Sequence, residues 1–314
     1  MTLLRNLYIP IHGIWWNLFR RRKRTQEFRE KVQEVKSKVN NYAINYEPFK
    51  GRQIFIDKKF ENIKEAVITC YFTGKVDPQH GIIRSEPDYN YIKPWYETLV
   101  KRKLKGVILY DCLPEDFIKK YQTPEIFFFR VTLEGYSIFE ERWFFYYLIL
   151  AKTNLKRVFF TDINDVYINN DPFSLFNLKE HEIYVGTDKE RLLCDSPWMM
   201  KELFQFETDS GRKLSRAIRY MTLFNAGVLG GEKYTIMAFI ELMIKEFITA
   251  NTSNHKDMTV LNYIIFKYMQ PKLNWRFSEQ EKHKNMPLEL ISGLPLNSRY
   301  KTYDLTSEAC FVHK

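Results

Sequence analysis

The sequence has no apolar run long enough to cross a bilayer as a helix. Its best candidate, residues 3–19, falls short of the roughly 20 residues a span needs and is interrupted by Arg5, Pro10 and His12. That stretch is also a poor secretory leader, because its charge cluster follows the apolar part and no small-residue cleavage site is visible. Cysteine is scarce. Cys70, Cys112, Cys194 and Cys310 form no C-x-x-C pair, which argues against a zinc ribbon or a dithiol redox motif. Free, buried thiols in a reducing compartment are the simplest expectation. Glycine is sparse, and no G-x-x-x-x-G-K-[ST] stretch occurs, so a P-loop is excluded. There is no zinc-finger spacing, no RNP-type aromatic motif, no internal repeat and no low-complexity tract. Asn251-Thr-Ser253 fits the glycosylation pattern, but without a leader the match reads as fortuitous.

What is present is an ordinary globular composition, with 45% hydrophobic and 27% charged residues. At 314 residues the chain can form one large domain or two small ones. The net charge is +10, but it is unevenly placed. Residues 1–24 hold Arg5, Arg20, Arg21, Arg22, Lys23, Arg24 and no acid, which leaves only +4 for the rest. The basic character therefore belongs to the N-terminus, and nucleic acid is not expected as a partner. Trp15, Trp16, Leu18 and Phe19 stand just before the basic run. Aromatic rings favour the headgroup zone and Arg and Lys favour anionic lipid. Residues 1–24 thus read as a peripheral anchor on the cytoplasmic face of the inner membrane, with packing on a protein surface as the alternative.

Three parts are expected: the anchor at 1–24, a peripheral helix and linker at 25–65, and a globular domain at 66–314. In the second part Phe28, Val32, Val35, Val39 and Tyr42 make a narrow apolar stripe, enough for one neighbour. In the third, Ala66–Phe72, Gly106–Tyr110, Glu125–Arg130 and the run at Val158–Phe160 read as buried strands. Helices are expected from Pro94 to about Leu104, over 114–121 and over Glu140–Lys152. Strands alternating with helices predict a mostly parallel sheet covered on both faces. Later strands are expected at His181–Gly186 and Tyr220–Gly231, and helices at Ile236–Ala250 and Asp257–Met269.

The stretch Arg157-Val-Phe-Phe-Thr-Asp-Ile-Asn-Asp165 carries the most chemistry. A continuous apolar strand ends abruptly in Asp162, Asn164 and Asp165, and ligands bind outside the carboxyl ends of such strands. Two acids and an amide so close are unfavourable without a cation or several donors among them. Oxygen ligands of this kind suit Mg²⁺ or Mn²⁺, which in turn can grip a diphosphate. An Asx-turn is the alternative. Arg142 lies on the aromatic helix among Trp143, Phe144, Phe145, Tyr146 and Tyr147. Buried, it needs an anion, either a diphosphate or a structural carboxylate. Lys75 and Arg84 flank the turn after the first strand, as a lid over phosphates or as solvated surface charges.

Three segments stand in order: Phe160-Thr-Asp-Ile-Asn-Asp165, Phe224-Asn-Ala-Gly-Val228 and Asp257-Met-Thr-Val-Leu-Asn262. Over residues 66–314 this order resembles nucleotide-sugar-dependent glycosyltransferases of the GT-A fold. The pattern Thr161-Asp162…Asp165-Val166…Asp171-Pro172-Phe173 is similar to bacterial capsule and lipopolysaccharide glycosyltransferase-like proteins. The resemblance implies an α/β, GT-A-like (Rossmann-type) central sheet, mostly parallel, with helices on both faces. It implies sugar transfer from a nucleotide-sugar donor, a UDP-sugar first, to a glycan or lipid-linked acceptor with Mn²⁺ or Mg²⁺. The metal ligands would be Asp162, Asp165 in the second carboxylate role or Asn164 in its place, and His313, with Lys314 on the diphosphate. Thr69 and Tyr71 would lie where the base binds, and Asn225, Ala226 and Gly227 would line the donor sugar. Asp257 and Asp188 are the candidate bases of an inverting enzyme. Asp257 has a helix N-cap as its other role, and a retaining enzyme needs no such base. Position 258 is Met where the family commonly has Gln. Two other functions fit the same acids: a metal-dependent nucleotidyltransferase or phosphohydrolase, and an inactive membrane-associated scaffold, which Asn164 favours.

Overall fold

The computed structural model describes residues 21–40, 47–84, 86–211, 213, 215–250, 257–269, 289–292, 296–299 and 309–313. In chain order its elements are α1 (Arg21–Asn40), β1 (Glu65–Tyr71), β2 (Val76–Asp77), β3 (Ile82–Ile83), α2 (Tyr89–Arg102), β4 (Gly106–Tyr110) and α3 (Glu115–Tyr121). Next come β5 (Ile126–Arg130), α4 (Ile138–Lys152), β6 (Arg157–Thr161), β7 (Val166–Ile168), α5 (Pro172–Leu175), β8 (Glu182–Leu192), α6 (Pro197–Ser210) and α7 (Ser215–Ile218). The last are β9 (Thr222–Glu232), α8 (Lys233–Thr249), α9 (Asp257–Ile264, prolonged by a π turn, Ile265–Met269), β10 (Glu289–Ile291), β11 (Asn297–Arg299) and β12 (Phe311–His313).

The main sheet has seven strands in the order β5-β4-β1-β6-β9-β8-β10. β9 runs antiparallel to both neighbours and every other pair is parallel. Alternate side chains of β1 feed two cores. Ala66 and Ile68 face one with α1, α4 and α8, while Val67 and Tyr71 face the other with α2 and α3. Both faces are therefore covered, as the apolar strands require. The expected α/β, mostly parallel sheet is present. Its carboxyl edge gathers the exits of β1, β4 and β6, where ligands of such sheets bind.

α4 is the central helix of one face. Ser137 and Glu140 close a capping box at its start, and Tyr146 stacks on Phe160 of β6 with centroids 3.9 Å apart. Pro94 does not open α2. The helix starts at Tyr89, where Asp88 accepts from the Asn90 amide at 2.8 Å. Ile92 and Trp95, buried on either side of the proline, offset the roughly 3 kcal/mol that a proline inside a helix costs. The second half also holds a helix that periodicity did not reveal, α6, capped by Ser196.

α1 runs through the expected boundary at residue 24. Phe28, Val32 and Val35 are fully buried with α8 in the same core, a deeper seat than a one-neighbour stripe suggests. Lys31 and Lys38 both reach the buried Glu241 of α8, and Arg24 donates to the carbonyl of Lys267 at 3.1 Å. Residues 47–64 join this core too. Phe49 stacks on Tyr147, and Phe60 meets Phe127 and Phe129 edge-on. Residues 1–20, most of the expected anchor, lie outside the described residues, as does Asn251-Thr-Ser253. No helix among the described residues is long and apolar enough to cross a membrane. All four cysteines are free, but Cys112 is exposed, so the expectation of uniformly buried thiols is corrected. It lies just beyond β4, at the strand exit where the chain turns to solvent.

Candidate metal centre

The acidic elbow starts where β6 leaves the sheet. The Asp162 amide still donates to the Gly227 carbonyl of β9 at 3.2 Å. Ile163 then buries its side chain, which leaves Asn164 exposed and returns Asp165 to the protein. β7 comes at once and pairs antiparallel with β12, Val166 opposite His313. That register delivers an imidazole from the far end of the described chain to the elbow. His313 Nε2 lies 3.3 Å from Asp165 Oδ2 and 3.8 Å from Asp162 Oδ2. One ligand atom from each of the three residues lies within 4.8 Å of the others.

Apolar packing holds β12 there. Cys310 and Phe311 are fully buried, the Phe311 and Phe159 rings are 5.0 Å apart, and the Asn169 amide donates to the Cys310 carbonyl at 2.7 Å. The donor chemistry fits a divalent ion. Two carboxylates facing one another repel unless a positive charge lies between them. Asp165 Oδ1 is buried and without a hydrogen bond among the described residues. Carboxylates favour hard cations such as Mg²⁺ and Mn²⁺, and imidazole is a common ligand of transition-metal ions.

Gly227 lets this arrangement form. Between Val185↔Leu229 and Gly186↔Asn225 the β8–β9 register slips, so Ala226, Gly227 and Val228 bulge from the β8 side of β9, while Val228 still pairs with Thr161 of β6. Asn225 Oδ1 accepts from the Gly227 amide at 2.7 Å and fixes the turn. A Cβ on Gly227 would fall 2.2 Å from His313 Cε1 and 2.7 Å from Nδ1. Gly227→Ala should therefore push the imidazole off its seat and weaken Mn²⁺ binding by about 10- to 100-fold, the range for lost support around a metal site. Titration of the variant by electron paramagnetic resonance checks this.

α9 braces the same bulge from behind. Asn262 acts as a substitute strand, with Oδ1 accepting from the Phe224 amide at 3.0 Å and Nδ2 donating to the Phe224 carbonyl at 2.9 Å. Met258, where the family commonly has Gln, accepts from the Ala226 amide through Sδ at 3.2 Å. Asn225 and Ala226 are mostly buried in this brace.

Arg142 reaches the site from the start of the second turn of α4. It donates through Nη1 to Asp162 Oδ1 at 2.6 Å and through Nη2 to Asp257 Oδ2 at 2.5 Å. Of the two anions weighed for it, the structure supplies carboxylates. Burial disfavours the Arg142 charge, but Asp257 and Asp162 outweigh burial and raise its pKa above the ordinary value. The two oxygens of Asp162 thus face different partners, Oδ1 toward Arg142 and Oδ2 toward His313. Asp257 is 1% exposed and also accepts from the Met258 amide at 2.8 Å. Its place is behind Arg142 as an ion-pair partner, which leaves it little access to an acceptor hydroxyl. Asp188 lies in β8, with its side chain outside the described atoms, and Lys314 lies outside the described residues.

Other expected residues divide between the site and its walls. Thr69 is buried, and its hydroxyl makes no hydrogen bond among the described residues. Tyr71 accepts from the Asp88 amide at 2.9 Å and stacks on Tyr91 at 5.0 Å. Lys75 donates to the carbonyls of Glu134 and Tyr136. Two residues were missed by sequence reasoning. Asp111 takes the amides of Thr73, Gly74 and Cys112, each at 2.8 Å, and so shapes the loop leaving β1. Its signal was present, an acid directly after a buried strand, as Asp162 is. Tyr91 had none, because one tyrosine among many in an aromatic-rich helix is indistinguishable until packed. Comparison with protein-family models gives no match, and comparison with curated protein sequences gives none either.

Proposed function

We propose that the chain is a metal-dependent glycosyltransferase of GT-A type, moving a sugar from a nucleoside-diphosphate donor to a glycan or lipid-linked hydroxyl. One observation carries the reading. Asp162, Asp165 and His313 converge at the carboxyl edge of a mostly parallel sheet, although 151 positions separate Asp162 from His313. Asp162, Asp165 and His313 would hold Mn²⁺, which when bound would neutralise the charge of the donor diphosphate. In the transfer the acceptor oxygen bonds to the anomeric carbon. The bond from that carbon to the β-phosphate oxygen breaks, with its electron pair going to the phosphate. The acceptor proton leaves to water or to the departing diphosphate.

The chain's own residues set the stage for this. Arg142 keeps Asp162 turned toward His313. Asn225, Ala226 and Gly227 stand beside the elbow, where the Gly227 carbonyl accepts from the Asp162 amide, and form the wall against which the donor sugar lies. Asn164, which favoured an inactive scaffold, is exposed. Residues 1–24 would hold the enzyme at an anionic membrane surface on the cytoplasmic side, near a lipid-linked acceptor.

The test is a thermal-shift and turnover screen of UDP-, GDP- and dTDP-sugars with and without Mn²⁺. The expected result is that one nucleotide class stabilises the protein only when Mn²⁺ is present, with release of nucleoside diphosphate. Ligand at 100 times its Kd should add about 2.7 kcal/mol. Cleavage between the two phosphates instead, giving sugar phosphate with free nucleoside monophosphate or with a nucleotidylated acceptor, would indicate the phosphohydrolase or nucleotidyltransferase chemistry. No Mn²⁺-dependent response to any of them would overturn the proposal.

A further inference from the structure

A departing diphosphate is stabilised by a cation besides the metal; Lys314 lies outside the described residues, and two other cations weighed for the diphosphate are engaged elsewhere. Arg142 is bonded to two carboxylates. Lys75 holds two backbone carbonyls, and burial lowers its pKa. On the opposite face of the sheet, Arg84 succeeds the β2–β3 hairpin that leaves the end of β1. Its guanidinium lies over the Tyr91 ring at 4.4 Å, and the other stacking partner of that ring is Tyr71, at 5.0 Å. Burial raises the Tyr91 pKa most, Arg84 opposes the rise, and Asp162, Asp77 and Asp165 add to it. β1 runs parallel beside β6, with Ile68 opposite Phe160, so Tyr71 at the end of β1 lies at the same carboxyl edge as the elbow, and Arg84 joins that edge through the Tyr91 ring. Among the described residues its carboxylate contact is long, 3.5 Å to Asp77 Oδ2, while Asp77 binds His80 Nδ1 more closely at 2.8 Å. A guanidinium stacked on a ring is fixed in direction and keeps its N–H fork available for a phosphate.

We propose that Arg84, held on Tyr91, is the cationic residue that contacts the β-phosphate of the nucleoside diphosphate. The assignment rests on the glycosyltransferase reading and names a contact within it. As the anomeric bond breaks, the electron pair gathers on that phosphate, so an Arg84 contact strengthens as charge develops.

The test measures binding of nucleoside diphosphate and of the matching monophosphate, each with Mn²⁺, by calorimetry on the full chain. Arg84→Gln should weaken diphosphate binding by about 10- to 100-fold. It should leave monophosphate and Mn²⁺ binding within about twofold and lower kcat more than it raises donor KM. Arg84→Lys should recover part of the loss. Asp77→Asn separates contact from tethering, because it loosens the hairpin but keeps the Arg84 charge, and its diphosphate affinity should stay near wild type. Equal losses in Arg84→Gln and Asp77→Asn, or an Arg84→Gln variant that binds diphosphate normally, would overturn the assignment. Failure of the wild type to bind any nucleoside diphosphate would instead overturn the glycosyltransferase reading.

Discussion

Asp162→Ala is expected to lower Mn²⁺-dependent sugar transfer by 10³-fold or more, an order-of-magnitude figure for removing a primary metal ligand together with the charge stabilisation it supports. Asp162 is the one ligand that faces both halves of the site. Oδ2 turns to His313 and, beyond it, Asp165, and Oδ1 holds the Arg142 guanidinium. Its loss takes away a ligand and at the same time releases Arg142. The fold should survive. The Asp162 side chain is 29% exposed, so no sealed cavity is left behind, and Arg142 keeps Asp257 as a partner. Turnover and circular dichroism on one preparation read both outcomes. Wild-type turnover in a folded Asp162→Ala protein would remove the metal centre from the mechanism.

Arg142→Met has the largest expected effect on stability, a loss of about 3–5 kcal/mol, the range for removing one partner of a buried pair. The reason is the asymmetry of the two acids. Asp162 can turn to water, whereas Asp257 is 1% exposed and would remain as an uncompensated buried charge. Met fills much of the same space, so the cost is electrostatic more than steric. The double variant Arg142→Met/Asp257→Asn should recover most of the loss, because the amide still accepts from the Met258 amide and carries no charge. Chemical denaturation of the wild type and both variants decides the matter. A single variant within about 1 kcal/mol of wild type would show that Asp257 finds another partner. If the double variant is stable yet binds Mn²⁺ poorly, Arg142 positions Asp162 as well as neutralising Asp257.

The acidic elbow was legible because a buried strand and a cluster of carboxylates are both written locally. Val158, Phe159 and Phe160 demand burial, and the carboxylates after them must lie at a sheet edge. The glycines of β9 were also legible as places of close approach, and the groups that approach are His313 beside Gly227 and the Phe159 ring against Gly230. Asp257 illustrates the limit. From its place in the sequence it could be a base or a cap, and only the arrival of Arg142 from another helix shows what its charge does. α6 was hidden for a similar reason. Met199 and Leu203 bury a small satellite core, and its partners, including Met221 and Phe266, come from distant segments.

By itself the sequence determined the alternating strands and helices, the acids after β6 and the uneven placing of positive charge, since each depends on neighbouring residues and their solvation. Tertiary structure alone decided which oxygens face which partners. The β7–β12 register carries His313 to Asp165, the exposed turn at Asn164 brings Asp165 inward, and α4 presents Arg142 to two acids 95 positions apart. Such choices depend on distances between segments remote in the chain, which packing of the two cores fixes and local residue preference does not.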